Sequence, residues 1–311
     1  MKTASFHISA LACTLIILAS SCKHREVCYD HTHMLDVNVN YDWTYAPDAL
    51  PASMVTRLFP IDGQTEPQRH ETIEKDNAII RVQAGRYIAI GLNGSTETLI
   101  ETGDSYDEFV ITTEEDELLS PMSKAPSSAP RPEEAKDEPI RKSPDALWYG
   151  CNENVSLVPL KSNQRIDLTM HKSTIECTIE LRNVENANSP IEISGALSGL
   201  SGAFSPSTAK PTTECVTMPV SLKVIDSHTI AGTITIFGHC HDKKNRHIFS
   251  IYTSNRYFYH FDVTDMMHAN DDSNHITIII DDALRLPDPQ GTGMTPSIID
   301  WSDEIHIDLD M

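Results

Sequence analysis

Histidine and cysteine side chains around residue 240 could bind a metal ion. Within GHCHDKKNRH, residues 238–247, they are His239, Cys240, His241 and His247. Imidazole and thiolate are good ligands for zinc and copper. In a strand, however, His239 and His241 point to one face and Cys240 points to the other, so a three-ligand site requires a turn here. We therefore predict a loop after a strand and assign no metal ligand, although the cluster leaves metal binding open.

The other cysteine with predicted chemistry is Cys22, which follows a short apolar run. Ile8 to Ala19 is mostly apolar over twelve residues, whereas a membrane-spanning helix needs about 20. The run has the length of a secretory signal, and its exit, Leu18 to Cys22 (LASSC), resembles a bacterial lipobox. In a lipobox, small residues fit the peptidase and the cysteine thiol receives a diacylglycerol. We predict that residues 1–21 are a signal peptide and that Cys22 is lipidated, with palmitate among its acyl chains; an ordinary cleaved signal with Cys22 as a free or paired thiol is the alternative.

Lipidation at Cys22 predicts a soluble body tethered to the outer membrane through residues 22–28. Several acyl chains hold a protein firmly without a transmembrane helix. The membrane face is left open, because surface-export signals after a lipidated cysteine tend to be acidic whereas Lys23 to Arg25 is basic. His31 and His33 follow the tether, and they join the metal question only if the fold brings them to residues 239–247.

Sequence signatures of common enzymes are absent. The chain has no GxGxxG, P-loop, HExxH or CxxC motif. The segment Ser194 to Phe204 (SGALSGLSGAF) approaches a G-x-S-x-G nucleophile elbow, but Ala203 stands where the second glycine is required. The pair Asp281-Asp282 lacks the spaced oxygen ligands of a calcium loop. We therefore predict no enzyme activity, no catalytic residue and no bound cofactor.

Five cysteines follow the predicted lipidation site: Cys28, Cys151, Cys177, Cys215 and Cys240. An odd number in an exported protein leaves at least one thiol unpaired. Cys177 lies on the apolar face of STIECTIELRNV and is predicted as a core residue. We expect at most two disulfides, and rather one or none; the pairing among the other four cysteines is left open.

The charge balance limits the class of partner. In 311 residues there are 45 acidic and 24 basic side chains, for a formal net charge of −21. A free-standing nucleic-acid binder requires a basic surface to neutralise phosphates. We therefore predict no nucleic-acid partner and interpret the acidity as a solvated exterior.

Alternation of apolar and polar residues is the main structural signal. Leu35, Val37 and Val39 alternate with polar residues, which is the period of a half-buried strand. Residues 77–92 are predicted to form two strands joined by a hairpin-like turn at Ala84-Gly85. Further strands are predicted at 108–112, 214–224, 228–237, 247–253, 257–263, 275–280 and 304–309. Many short strands separated by turn residues indicate an all-β sandwich or barrel.

A proline-rich segment divides the chain. Pro121 to Pro144 contains six prolines in 24 residues and no apolar periodicity. Such a segment buries too little apolar surface to offset its ordering entropy. We predict a first β-sandwich over 29–115, a disordered linker or loop over 116–145 and a second β-sandwich over 146–311; an excursion inside one larger fold is the alternative.

The lipobox and several short motifs together resemble a group of Bacteroidetes lipoproteins known as a domain of unknown function. The motifs are C-x-H-R-x-x-C-Y-D-H (22–31), MVTRLFPIDG (54–63), AGRYIAIGLN (84–93), RNVEN (182–186), ALSGLSG (196–202), FGHC (237–240) and PSIIDWSDEIHIDLDM (296–311). That group is similar to minor fimbrial anchor lipoproteins and fimbrillin-like proteins. The resemblance implies two tandem transthyretin-like (Greek-key) β-sandwich domains and a role in fimbrium anchoring, assembly or adhesion. Lipidation is the one functional role that it carries over, onto Cys22.

Two functions are therefore predicted. The first is a lipid-anchored fimbrial or adhesin-type subunit that accepts a strand of a fimbrial partner at an open sheet edge, with the final strand, Glu304 to Leu309, as the candidate for exchange. The alternative is a lipid-displayed module for a glycan or another surface ligand. Trp43, Trp148 and Trp301 are its candidate stacking residues, although each is rather expected in a core or at a domain junction.

Overall fold

The computed structural model describes residues 34–63, 66–159, 161–241, 246–269, 274–281 and 284–287, together with 301, 305 and 306. Of the described residues, 51% are strand and 3% are helix, which confirms the predicted all-β class. The strands form five sheets, numbered 1 to 5 below. Most of the predicted strands are present, but several pair with partners that periodicity alone does not indicate.

Sheets 1 and 2 pack face to face around one core. Sheet 1 has the order β4-β1-β9, with β1 Met34–Asp42, β4 Asn77–Gln83 and β9 Arg165–Thr169. Sheet 2 has the order β10-β8-β5-β2-β3, with β2 Ser53–Pro60, β3 Gln68–Thr72, β5 Gly85–Gly94, β8 Trp148–Leu157 and β10 His171–Lys172. In β1, Val37 and Val39 are fully buried while Asp36 and Asn38 are exposed, as the alternation predicts. These valines contact Met54 and other apolar residues of sheet 2 in one cluster.

The central strands of sheet 2, β2 and β5, are buried on both faces because a third sheet covers their other side. Sheet 3 has the order β14-β13-β7-β6, with β6 Leu99–Thr102, β7 Val110–Thr113, β13 Ala203–Ser205 and β14 Lys210–Pro211. Phe59 and Ile90 point from sheet 2 into a separate cluster with Phe109 and Phe204. Strands that are buried on both faces lose the simple alternation, which explains the almost continuous apolar sequence of β2 and β5.

Sheets 4 and 5 enclose the core of the second half of the chain. Sheet 4 has the order β16-β17-β11-β20, with β11 Ile175–Leu181, β16 Lys223–Val224, β17 Ile230–Ile236 and β20 His275–Ile280. Sheet 5 has the order β15-β12-β18-β19-β21, with β12 Ile193–Ser201, β15 Cys215–Ser221, β18 Ile248–Thr253, β19 Phe258–Asp262 and β21 Ile305–His306. Cys177 is fully buried here, beside Phe249 and Phe261 in the same cluster, which confirms it as a core residue. A five-residue helix, α1 (Thr264–His268), follows β19, and a 3-10 turn spans Glu133–Ala135.

The predicted hairpin at residues 77–92 is wrong in its pairing. Both strands exist, as β4 and β5, but β4 pairs with β1 in sheet 1 and β5 pairs with β2 and β8 in sheet 2. At Ala84 the chain therefore passes from one layer of the sandwich to the other. A short turn fits either connection, so the turn residues do not decide whether the strands pair.

The strand pairing also differs from the predicted domain boundary, which placed the start of the second β-sandwich at residue 146. The strands β8 and β9 lie beyond that boundary, yet β8 pairs with β5 and β9 runs parallel to β1. Leu168 and Met170 complete the core between sheets 1 and 2. The chain thus returns to the first sheet pair after residues 116–145, and the strands of the second pair begin at β11.

Residues 116–145 form a loop with many contacts to the second sheet pair. Leu119 and Met122 are buried against Tyr252 and Phe258 of sheet 5. Farther along, the Arg141 backbone N–H donates to the carbonyl of Thr217 in β15 over 3.0 Å. These contacts favour a loop over a disordered linker. The many prolines remove backbone donors and fix φ, which accounts for the irregular path.

Candidate functional site

The predicted lipidation site cannot be placed. Cys22 lies outside the residues that the structure describes, as do Cys28, His31 and His33. Lipidation of Cys22 therefore stays a prediction from the sequence. Within the part of the chain that the structure describes, no helix has both the length and the apolar character needed to cross a membrane.

The final strand lies at the edge of sheet 5. Residues 305 and 306 form β21, which runs parallel to β19 with Tyr259 opposite Ile305 and His260 opposite His306. The rest of the predicted strand, Glu304 to Leu309, lies outside the described residues. In the described part of the chain, β21 thus pairs with two of the five residues of β19. Among the described residues β21 is the outermost strand of sheet 5, and an edge strand is a natural place for strand exchange.

Trp301 fixes the segment that leads to β21. Its indole Nε1–H donates to the Ser128 carbonyl over 2.6 Å, and its ring centroid lies 5.9 Å from that of Tyr252 and 6.0 Å from that of Phe258. Loop 116–145 and Trp301 therefore cover the outer face of sheet 5 together. The expectation that Trp301 packs at a junction, and is not an exposed stacking residue, is confirmed.

The other two tryptophans also pack inside the protein. Trp43 and Trp148 lie edge to face with centroids 6.4 Å apart, and the Trp43 Nε1–H donates to the Lys75 carbonyl over 3.0 Å. Both belong to, or pack against, the core of the first sheet pair. Their packing leaves neither ring as an open platform for a ligand.

An exposed aromatic pair stands beside them. Tyr45 is 67% exposed, and its ring stacks on that of His171 with centroids 4.8 Å apart. His171 also lines a cleft of about 400 Å³, with Tyr149 and Phe204 on the same wall. Sequence reasoning did not find this pair, because the two residues lie in unrelated segments and neither belongs to a motif.

Four histidines converge at one end of sheet 5. Their ring centroids lie 4.1 Å apart for His239 and His241, 5.1 Å for His239 and His247, 5.2 Å for His239 and His268, and 5.0 Å for His247 and His268. We call these four residues the histidine cluster. His239 and His241 share a side, as the strand pattern predicts. His268 was not identified from the sequence, because α1 brings it to the site from outside the motif.

Several backbone contacts position the histidine cluster. The Ser201 backbone N–H donates to the Gly238 carbonyl over 3.0 Å, and the Cys240 backbone N–H donates to the Gly199 carbonyl over 2.9 Å. Gly199 has a φ of +75°, and a Cβ there would lie 2.5 Å from the His247 Nδ1. Only glycine therefore allows the chain to turn at this point while His247 fits against it.

A disulfide attaches the segment that carries His239 and His241 covalently to β15. Cys215 in β15 is joined to Cys240, and their Cα atoms lie 6.2 Å apart, within the usual range. Cys240 points away from His239 and His241, as expected, and is not available as a thiolate ligand. Cys151 and Cys177 are free thiols in the described residues. The finding of one disulfide lies within the predicted limit of two.

The two buried histidines of the cluster are neutral near pH 7. Burial lowers the pKa of His239 to about 4, and the neighbouring imidazoles act in the same direction. Burial also lowers the pKa of His247 to about 4, against the opposing effect of its contact with the Ser198 carbonyl. His239 and His247 therefore present neutral imidazoles, which hydrogen bond or bind metals through a nitrogen lone pair.

Comparison with known proteins identifies one family whose profile matches most of the chain. The profile of the family described as "Domain of unknown function (DUF5119)" matches residues 21–221. No curated protein sequence matches the chain.

A search of solved structures also found matches to the chain. A candidate adhesin from Bacteroides ovatus has 15% identity and a TM-score of 0.61, with 82% of this chain and 93% of that chain covered. A candidate polysaccharide-binding protein from Bacteroides thetaiotaomicron has 11% identity and a TM-score of 0.51, with coverage of 80% and 93%. The fimbrial anchor protein Mfa2 from Porphyromonas gingivalis has 15% identity and a TM-score of 0.47, with coverage of 78% and 89%. The first two matches establish a shared β-sandwich fold.

Proposed function

The chain belongs to the family described as Domain of unknown function (DUF5119), and from this premise we propose that it is a lipid-anchored cell-envelope subunit for fimbrium anchoring, assembly or adhesion. The observation that carries the proposal is the edge of sheet 5, where β19 is covered by two residues of β21 in the described part of the chain. The fold shared with a candidate adhesin supports it. The transthyretin-like topology and tandem domains implied by the resemblance belong to the same proposal.

Strand addition at β19 provides the mechanism. An edge strand presents unpaired backbone N–H and C=O groups, and a partner strand satisfies them with a row of hydrogen bonds. Phe261 of β19 is buried in the core between sheets 4 and 5, and Phe258 is buried on the outer face beneath loop 116–145, so the strand is held in the sheet from both sides. Departure of β21 would expose the edge of a strand that is otherwise fixed.

Lipidation at Cys22 provides the attachment. The proposed acyl chains hold the protein in the outer membrane, and the tether of residues 22–28 separates the lipid from the first strand, β1. Digestion of intact cells by an external protease distinguishes the two membrane faces, because only a surface-exposed protein is cut.

Removal of residues 302–311, with Trp301 retained, is expected to increase binding of isolated fimbriae from the same bacterium. Strand exchange requires β21 to leave, so its deletion removes that free-energy cost; we expect binding to become about tenfold tighter, which corresponds to about 1.4 kcal/mol. Surface plasmon resonance with the immobilised protein measures the change.

The matched control for this truncation is Trp301→Ala, which keeps β21 and removes only its anchor on sheet 5. A smaller increase is expected from that variant. Weaker binding by the truncated protein would instead identify the final strand as a donor to a neighbour. Equal binding by all forms, or none, would contradict strand addition at this edge.

A second candidate function, display of a glycan-binding module, is supported by the Tyr45–His171 stack beside its cleft. Sugar rings pack well on exposed aromatic faces. Tyr45→Ala should lower affinity for any glycan identified on an array by about five- to tenfold, since aromatic stacking contributes about 1 kcal/mol. Leu50→Ala, at another exposed apolar position, is the control and should leave the affinity unchanged. A glycan array without hits would remove this candidate.

A further inference from the structure

We propose that His239, His247 and His268 bind a divalent transition-metal ion, with zinc as the best-matched ion. One candidate ligand nitrogen from each histidine lies within 4.8 Å of the other two. His239 lies three residues after the end of β17, His247 lies directly before β18, and His268 is the last residue of α1. A bound ion would therefore join three separate elements at one end of sheet 5.

The spacing of the nitrogens is close to that of a zinc site. Zn–N bonds of about 2.0–2.1 Å at tetrahedral angles separate two ligand nitrogens by about 3.3–3.4 Å. The Nε2 atoms of His247 and His268 lie 3.1 Å apart. His268 is exposed on a five-residue helix, so a small side-chain rotation brings its nitrogen to the distance that the ion requires.

The hydrogen bonds of His247 leave the correct nitrogen available. Its Nδ1 lies 3.3 Å from the Ser198 carbonyl oxygen, which can only accept a hydrogen bond, so the proton belongs on Nδ1. The lone pair is then on Nε2, which points toward His268. A metal-ligating histidine usually donates its other N–H to a carbonyl or carboxylate in this way.

A buried, unpaired nitrogen of His239 supports the metal site independently of the His247–His268 distance. Its Nδ1 is buried and has no hydrogen-bond partner in the part of the chain that the structure describes, and the residue is only 8% exposed. Buried polar atoms are nearly always paired. A hydrogen bond between His247 and His268 accounts for their short distance but leaves this nitrogen unpaired, whereas a metal ion bound through Nδ1 of His239 would account for both.

The donor set selects the class of ion. Imidazole nitrogen suits zinc, copper and nickel, whereas calcium and magnesium prefer oxygen. Cys240 is in a disulfide, so no thiolate is available from it. The ring of His241 lies 4.1 Å from that of His239, and both line a cleft of about 580 Å³. A fourth ligand can thus come from His241 or from solvent in this cleft.

Zinc titration of the untagged full chain tests the proposal. The protein is purified in detergent, stripped with a chelator and dialysed, and binding is followed by calorimetry and by metal analysis. We expect one zinc per chain in the tight class of sites. His268→Asn should weaken this binding by at least about tenfold, while His228→Asn, at an exposed histidine beyond the opposite end of β17 from His239, should leave it unchanged.

Two further measurements separate ligation from a change in folding. Zinc at about 100 times its dissociation constant should raise the Tm of the wild-type protein by about 5–10 °C, and it should raise that of His268→Asn much less. X-ray absorption at the zinc edge should show three or four imidazole nitrogens. Absence of a tight site in the wild type, or equal affinities of the wild type and His268→Asn, would overturn the proposal.

Discussion

Replacement of Cys22 by serine is expected to abolish incorporation of radiolabelled palmitate and to release the protein from the outer-membrane fraction. The Cys22 thiol is the proposed nucleophile for the diacylglycerol, and a hydroxyl does not replace a thiol in this reaction. The change should be nearly complete, because the acyl chains are the proposed attachment to the membrane. Metabolic labelling followed by sucrose-gradient fractionation measures both effects.

Cys28→Ser is the matched control, since it removes a second thiol six residues away and leaves the lipobox intact. Its labelling and fractionation should equal those of the wild type. Palmitate labelling of Cys22→Ser at the wild-type level would contradict lipidation at this residue. An unlabelled Cys22→Ser protein could stay in the membrane if its signal peptide is not cleaved. Its higher mass identifies that form and separates it from a lipidated protein.

Sequence periodicity predicted the strands well where one face of a strand meets a core and the other meets solvent. The alternation at Val37 and Val39 gives the correct inward face of β1, and Cys177 in β11 is buried as predicted. A half-buried strand records its environment in a period of two. Such strands can be located without knowledge of their partners.

Sheet partners were not predictable by the same reasoning. The strands β4 and β5 are adjacent in sequence and lie in different layers, while β9 pairs with β1 across more than a hundred residues. Periodicity reports which face is buried and carries no information about the neighbouring strand. The proline content of residues 116–145 likewise predicts an irregular backbone, but it does not reveal the buried contacts of Leu119 and Met122.

The histidine cluster could be predicted only in part from the sequence, for a related reason. Three of its members lie within residues 239–247, and the shared side of His239 and His241 follows from local geometry. His268 joins them because β19 leads into α1, which returns the chain to the start of β18. Only the three-dimensional structure therefore shows that His239, His247 and His268 meet, and that Cys240 is unavailable as a ligand because it is in a disulfide.

Removal of the Cys215–Cys240 disulfide is expected to lower the free energy of unfolding by about 3 kcal/mol. The bond closes a loop with a sequence separation of 25 residues, and cross-links of this span stabilise chiefly by restricting the unfolded chain. The double variant Cys215→Ala/Cys240→Ala tests this by urea unfolding, with a shift of the midpoint of about 1 M. Cys151→Ala, which removes a half-buried free thiol, is the control for loss of a cysteine.

Reduction provides the decisive comparison for this disulfide. Dithiothreitol should destabilise the wild-type protein by the same amount and leave the double variant unchanged, because the variant has no bond to reduce. A wild-type protein whose stability is insensitive to reductant would contradict the pairing. Cys240 lies between His239 and His241, so the disulfide attaches the segment that presents both imidazoles to β15. In the double variant only backbone hydrogen bonds hold this segment. The double variant should therefore also bind zinc more weakly than Cys151→Ala.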